Sequence, residues 1–189
     1  MSSNPEIGLS IVANGIATNY HDQGEGDPVL MIHGSGPGVT AFANWRLSMP
    51  VLSKNFRVIA PDMVGFGYTE RPAGVEYSMQ NWVSHALGLL DALKIGRAHI
   101  VGNSFGGGLA LALAIRAPER VNRLVLMGAA GTPFKLTQGL DDVWGYQPSF
   151  ENMRKIMDIF AYDRNLVSDE LARLRYDASI RPGYQEAFS

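Results

Sequence analysis

The 189-residue chain has no cysteine. That excludes disulfides, thiolate nucleophiles and thiolate metal centres, and it points to the cytoplasm. Long apolar runs are missing as well, and no stretch approaches the roughly 20 residues of a membrane span. Met1-Ser2-Ser3-Asn4-Pro5-Glu6 has neither a basic region nor an apolar block behind it, so it does not read as a secretory leader. Charge of one sign is not in excess: 16 Lys and Arg stand against 18 Asp and Glu, a net charge of -2. A nucleic-acid-binding face and an acidic tail are thereby disfavoured. There are no internal repeats and no low-complexity tracts. Histidine is scarce, at four residues, and none lies beyond His99.

What is present is an ordinary globular composition, 46% hydrophobic, in a chain long enough for one domain with a core or one domain and part of another. Two extended stretches within residues 6–21 flank Asn14-Gly15, a strong hairpin signal. Val29-Leu30-Met31-Ile32 is continuously apolar, as expected of a strand buried on both faces. A helix is expected over Trp45 to Leu52, then a strand at 56–60. From Ser78 to Lys94 the apolar positions follow helical spacing. His99 to Val101 is the next strand. Leu109 to Ala117, nearly all apolar, predicts a buried helix, and Val121 to Met127 a sixth strand. Strands alternating with helices predict an α/β fold with a mostly parallel sheet and helices on both faces. After Gly131-Thr132-Pro133 the pattern turns helical without strands. Ser149 is placed to cap a helix carrying Phe150, Met153, Ile156, Met157 and Phe160. Ser168 is placed to cap another that stops at Pro182. Two units are expected: a core over 1–133 and part of a helical cap over 134–189.

Gly102-Asn103-Ser104-Phe105-Gly106 fits G-x-S-x-G, a serine raised on a strained strand-to-helix turn whose flanking glycines let strand and helix nearly touch. Ser104 is the candidate nucleophile, and the Phe105 N–H is one candidate oxyanion donor. The second donor in such sites comes from a loop after an earlier strand. His33-Gly34-Ser35-Gly36-Pro37-Gly38 occupies that place, and Ser35 N–H is assigned to it. His33 is expected to fix this loop by hydrogen bonding rather than to act as base. A serine site also needs a base and an acid that orients it, in the order Ser, acid, His for this motif. No histidine follows Ser104. Asp141, Asp142, Asp158, Asp163, Asp169 and Asp177 all fall in the helical segment and are poor orienters. Gly65-Phe66-Gly67 lacks the third glycine of a dinucleotide loop, and neither a phosphate loop nor a His-x-x-x-His pair occurs. No cofactor and no metal are expected.

These residues resemble those of the α/β-hydrolases, and specifically of the meta-cleavage product hydrolases of aromatic degradation. The matching stretches are 33–38 with Asn44-Trp45, 61–67, 102–107, and Arg175 through Phe188. The resemblance implies an α/β-hydrolase fold whose last strands, bearing the catalytic Asp and His, are missing. It implies a serine hydrolase that cleaves a C–C bond in 2-hydroxy-6-oxo-2,4-dienoates such as 2-hydroxymuconate semialdehyde. The dienol is ketonised first, and Ser104 then attacks the C6 carbonyl. Asn44 and Asn103, with Gly36 beside them, match family positions for the substrate carboxylate and 2-oxo group, and a cap arginine completes the anchor. Arg175 and Arg181 compete for that role. They are expected on different faces of one helix, with Arg175 preferred because it shares a stripe with Leu171 and Ala178. Trp45, Phe105 and Phe134 are candidates to line the pocket or to be plain core. The partner is a small dienoate, with no nucleic acid and no membrane, and the full-length form is expected to be a homo-oligomer. Without a base, the fragment is expected to be nearly inactive, and an open sheet edge should leave it poorly stable. The alternatives are an ester hydrolase on the same fold and a non-catalytic ligand-binding remnant.

Overall fold

The computed structural model describes residues 4–131 and 133–188, without the side chains of Glu186 and Phe188. The first three residues of the stretch read for a leader, and Thr132 at the expected boundary, lie outside it. Strands β1 (Leu9–Ala13) and β2 (Ile16–Gln23) form a hairpin. Asn14 and Gly15 take φ of 49° and 79°, the paired left-handed conformation that a two-residue hairpin loop requires. The sheet continues through β3 (Pro28–Ile32), β4 (Arg57–Pro61), β5 (Ala98–Asn103) and β6 (Val121–Met127), in the order β1-β2-β4-β3-β5-β6. β1, β2 and β4 pair antiparallel, and β4, β3, β5 and β6 run parallel.

Period-two alternation divides the core. Leu30, Ile32, Ile59 and Ile100 face helices α3 (Met79–Ala92) and α4 (Phe105–Arg116). Val29, Met31, Val58 and Ala60 face Trp45 and Met49 of α1 (Ala41–Trp45) and α2 (Met49–Leu52). The single helix expected over 45–52 is therefore two short ones. Pro50, in the first turn of α2, has no N–H to continue a ladder from α1. Helix α4 also differs from expectation. It starts at Phe105, taking in the glycines, and only one side of it is buried: Leu109 and Leu113 are enclosed while Ile115 is 79% exposed. Among the described residues β1 and β6 form the two sheet edges, and on β6 Val125, Leu126 and Met127 are 41–54% exposed. An apolar strand edge of this kind favours association with other chains.

Helices α5 (Gln138–Trp144), α6 (Phe150–Phe160), α7 (Asp169–Ser179) and α8 (Tyr184–Phe188) follow, with no strand among them. The Ser149 and Ser168 side chains cap α6 and α7 by accepting from the N–H three residues on, at 3.0 and 3.1 Å. Val143, Tyr146, Met153, Ile156 and Met157 form an apolar cluster of their own with Val167 and Ala172. Arg181 lies past the end of α7, so the two rival arginines do not share a helix.

Candidate active site

Strand connection fixes the place of the site. From β3 the chain turns to β4 on one side, and from β4 it crosses to β5 on the other. The loops leaving β3 and β5 therefore diverge and open a crevice at the carboxyl ends of the strands. The register Ile32 to Gly102 sets the loop after β3 beside the turn after β5. A Cβ on Gly34 would sit 3.4 Å from Cβ of Ser104.

Ser104 has φ 53° and ψ -114°, a positive φ unusual for a non-glycine residue. Backbone bonds clamp it: its N–H donates to Met127 O at 2.8 Å, and its carbonyl accepts from Ala130 and Gly107 at 3.0 and 2.9 Å. Phe105 opens α4, so its N–H has no partner within the helix and carries the positive end of the helix dipole. The Phe105 ring packs edge-on to Trp82, with centroids 4.7 Å apart.

Two cavities meet at Ser104 and Ser35. One, about 540 Å³, is lined by Asn44, Arg46, Asn103 and Arg175, with Met157 and Leu171 opposite. The other, about 900 Å³, is apolar, with Phe105, Leu111, Phe134, Leu140 and Trp144 in its wall. Of the three aromatics singled out from sequence, Phe105 and Phe134 line a cavity. Trp45 does not: it is 2% exposed and packs beneath the sheet with Met31 and Met49.

The polar cavity is pre-ordered. Asn44 Oδ1 accepts from Gly34 N–H and from Asn103 Nδ2, both at 3.0 Å, which leaves the Asn44 amide NH2 as a donor for a ligand. Arg175 Nη2 donates to Pro37 O at 3.0 Å. Gly38, at φ 63°, lets the Arg175 backbone pack directly on the loop, since a Cβ there would overlap the Arg175 carbonyl. Burial pulls the Arg175 pKa down, and Tyr184 and Glu6 oppose the shift. Arg181 points elsewhere: it donates to Gly67 O at 2.7 Å and lies over the Tyr68 ring. The arrangement thus brings Arg175, and not Arg181, to Ser104.

Sequence reasoning missed the polar layer beneath this loop. Tyr184 is fully buried and its hydroxyl donates to Gly36 O at 2.8 Å. Asp62 is buried and accepts from Ala41 N, Tyr68 N and Asn19 Nδ2 at 2.6–2.8 Å. Glu6, also buried, accepts from Thr40 Oγ1 at 2.8 Å. A lone acid or tyrosine in a loop carries no periodic or motif signal. No group of three His, Asp or Glu among the described residues is placed to hold a metal.

None of the four histidines hydrogen bonds to Ser104 among the described residues. His33 uses both ring nitrogens, one against Gly34 O at 2.7 Å and the other accepting from Met63 N at 3.0 Å. This is the loop-fixing role expected from sequence. His85 bonds Thr18 Oγ1 and Val64 N. Burial lowers both imidazoles to about 4.

Burial acts oppositely on the acids, lifting Glu6 to about 7 and Asp62 to about 6. The signs matter for stability. The histidines contribute stability that is present above pH ~6.5 and lost as the pH falls towards 4. Glu6 and Asp62 contribute stability that is full below their ordinary carboxylate values and lost as the pH rises through 7 and 6. Glu6→Gln keeps the Thr40 bond and removes one buried titration. It should leave the urea midpoint unchanged at pH 4 and raise stability by on the order of 2–3 kcal/mol at pH 8. Equal midpoints for the two proteins at pH 8 would refute this account of Glu6.

The chain matches the family model described as alpha/beta hydrolase fold over residues 27–188. It is 68% identical over 187 residues to a 2-hydroxymuconate semialdehyde hydrolase of Pseudomonas sp. strain CF600, covering 99% of this chain and 66% of that protein. It is 66% identical over 186 residues to a 2-hydroxy-6-oxo-2,4-heptadienoate hydrolase of Pseudomonas putida strain F1, covering 98% and 67%. A solved meta-cleavage product hydrolase from Pseudomonas fluorescens IP01, a mutant complexed with acetates, superposes with a TM-score of 0.93 at 68% identity, over 97% of this chain and 68% of that one. The chain therefore spans about two thirds of the length of these relatives. Matched by the family model over most of its length and covering two thirds of relatives at 66–68% identity, the chain belongs to the α/β-hydrolase fold family and, within it, to the meta-cleavage product hydrolases.

Proposed function

We propose that this site belongs to a serine-type hydrolase that cleaves the C5–C6 bond of 2-hydroxy-6-oxo-2,4-dienoates such as 2-hydroxymuconate semialdehyde. One observation carries the reading: Ser104 stands where a polar cavity holding Arg175, Asn44 and Asn103 meets an apolar one. A dienoate has the same division, with a carboxylate and 2-hydroxyl at one end and an acyl group at the other. The names of the relatives at 66–68% identity support the same chemistry.

Arg175 receives the carboxylate through its planar fork. Asn44 NH2, Asn103 and the Gly36 backbone hold the 2-oxygen. Ketonisation moves the 2-hydroxyl proton to C5. Ser104 Oγ then attacks C6, and the oxyanion rests on the N–H groups of Ser35 and Phe105. The C5–C6 bond breaks, its electron pair passing through C4 and C3 to the 2-oxygen, which takes up a proton as the dienol leaves; the C6 acyl group stays on Ser104, and water releases it as a carboxylic acid. The base for Ser104 and the acid that orients it are proposed to come from the third of the relatives' length that this chain does not span. Helices α5 to α8 act as a cap over the crevice, dividing the chain near residue 133, because they carry their own apolar cluster and close the polar cavity through Arg175. No described helix is long and apolar enough to cross a membrane. A cytoplasmic setting and a homo-oligomeric full-length form belong to this proposal.

In the whole gene product, Ser104→Ala should lower kcat by at least ~10⁴-fold and Arg175→Gln should raise KM about 10- to 100-fold, the worth of a charge-assisted pair. Retained dienoate hydrolysis in Ser104→Ala, followed by loss of the dienoate chromophore, would refute the reading. Turnover of simple esters without dienoates would favour an esterase instead.

A further inference from the structure

The polar cavity beside Ser104 carries a second guanidinium that the proposed chemistry does not use. Arg46, the residue that closes α1, lines it together with Arg175. The two stand at different depths. Leu47, next to Arg46 and in the same wall, is 62% exposed, and Arg46 itself is half-buried, so this wall forms the mouth. Arg175 reaches the cavity from α7 with its Nε cut off from solvent. Arg46 uses one N–H on the Ala43 carbonyl at 3.1 Å, the contact a cation makes with the last turn of a helix. A guanidinium has five such donors. Arg57, Arg120 and Arg154 each meet an aspartate at 2.7–3.3 Å, whereas Arg46 meets no carboxylate among the described residues. Nor does any Asp or Glu among them line the cavity, whose wall is otherwise largely apolar, with Met157, Phe160, Val167 and Leu171. Burial lowers the Arg175 pKa, and the like charge of Arg46 adds to that shift.

We propose that Arg46 is the outer cation of the ligand cavity: it draws a carboxylate in at the mouth by charge and passes it to Arg175, where the carboxylate is held. The inference rests on the proposed role of Arg175 as carboxylate anchor. A cleft with charge of one sign and apolar walls focuses its field and concentrates ions of the opposite sign at its opening. Two guanidiniums without an acid between them also repel each other, and an entering anion relieves that repulsion. Arg46 acts through space on both the approaching and the seated carboxylate, so its positive charge matters more than the geometry of its fork. Arg175, already oriented by its bond to Pro37 O, supplies the fixed geometry. The pair therefore selects anionic ligands over neutral ones of the same shape.

The test uses 2-oxopentanoate, a stable 2-oxo acid that matches the anchored end of the proposed substrate. Calorimetric titration of the 189-residue chain at pH 7 gives Kd in ~0.01 M and in ~0.5 M sodium chloride, between which the screening length falls from ~30 Å to a few ångströms. Arg46→Gln should weaken binding roughly 3- to 10-fold at the lower salt, and the ratio to wild type should approach one at the higher. Arg46→Lys keeps the charge without the fork and should stay within about twofold of wild type at both. Equal Kd for wild type and Arg46→Gln at low salt overturns the inference while leaving the anchor intact. So does a loss that is the same at both salt concentrations and shared by Arg46→Lys, since that is the mark of packing and not of charge. No binding by wild type, or undiminished binding by Arg175→Gln, overturns the anchor itself, and the inference with it.

Discussion

The 189-residue chain by itself should hydrolyse 2-hydroxymuconate semialdehyde at least ~10⁴-fold more slowly than a relative with a complete triad, and Ser104→Ala should lower that residue of activity by less than about tenfold. Triad members act as a unit: once the base is gone, the nucleophile adds little, and what remains comes from the oxyanion donors and binding. Each histidine of the chain is unsuited to the task for a stated reason. His33 and His85 have both ring nitrogens engaged, and burial lowers them to about 4, which makes them weak bases at neutral pH. His99 sits five residues before Ser104 on an extended strand, roughly 16 Å back along β5. His21 packs against the Phe42 ring, with centroids 5.7 Å apart, on a strand not adjacent to β5. Single-turnover absorbance decay of the dienoate measures the rate. Decay within a hundredfold of the relative, and abolished by Ser104→Ala, would place a working base inside these 189 residues.

The glycines that flank Ser104 carry the second large effect. Gly102→Ala or Gly106→Ala should cost roughly 3 kcal/mol or more, enough to leave a marginal domain largely unfolded. A Cβ on Gly102 would overlap the carbonyl of Gly106, and one on Gly106 would overlap the carbonyls of Ile32 and His33. Every atom met is backbone, so no rotamer change can relieve the contact. Neither glycine has a positive φ, so the effect is one of space alone. Gly96→Ala is the control: a Cβ there meets nothing within 4 Å. It should change stability by no more than ~0.5 kcal/mol. Urea unfolding of the three variants gives the comparison. A Gly106→Ala midpoint equal to that of Gly96→Ala would refute close strand-to-helix contact as the reason for the motif's spacing.

Much of this protein is legible in one dimension because its signals are local. Asn14-Gly15 names its hairpin, Ser149 and Ser168 name their helix starts, and the unbroken apolar run from Val29 to Ile32 names a strand buried on both faces. G-x-S-x-G is legible for the same reason, since one turn's steric needs select both glycines. Local signals failed where packing overrode them. The glycines after Ser104 entered α4 because strand and helix needed close approach more than the helix needed propensity, whereas the break at Pro50 is a local signal that the expected helix passed over.

What is written along the chain is thus the serine turn at Ser104, its flanking loops, the strand and helix alternation and the absence of any histidine after Ser104. Packing is what sets which arginine reaches the cavity at Ser104. Arg175 and Arg181 are six residues apart and chemically identical; one crosses to Pro37 beside Ser104 while the other turns to Gly67. Packing also buries Glu6, almost a hundred residues before Ser104 in the chain, against the Thr40 hydroxyl. Periodicity and motif report what neighbours along the chain require of one another. Contacts of long polar side chains depend on distances that only the assembled sheet and the helices packed over it define.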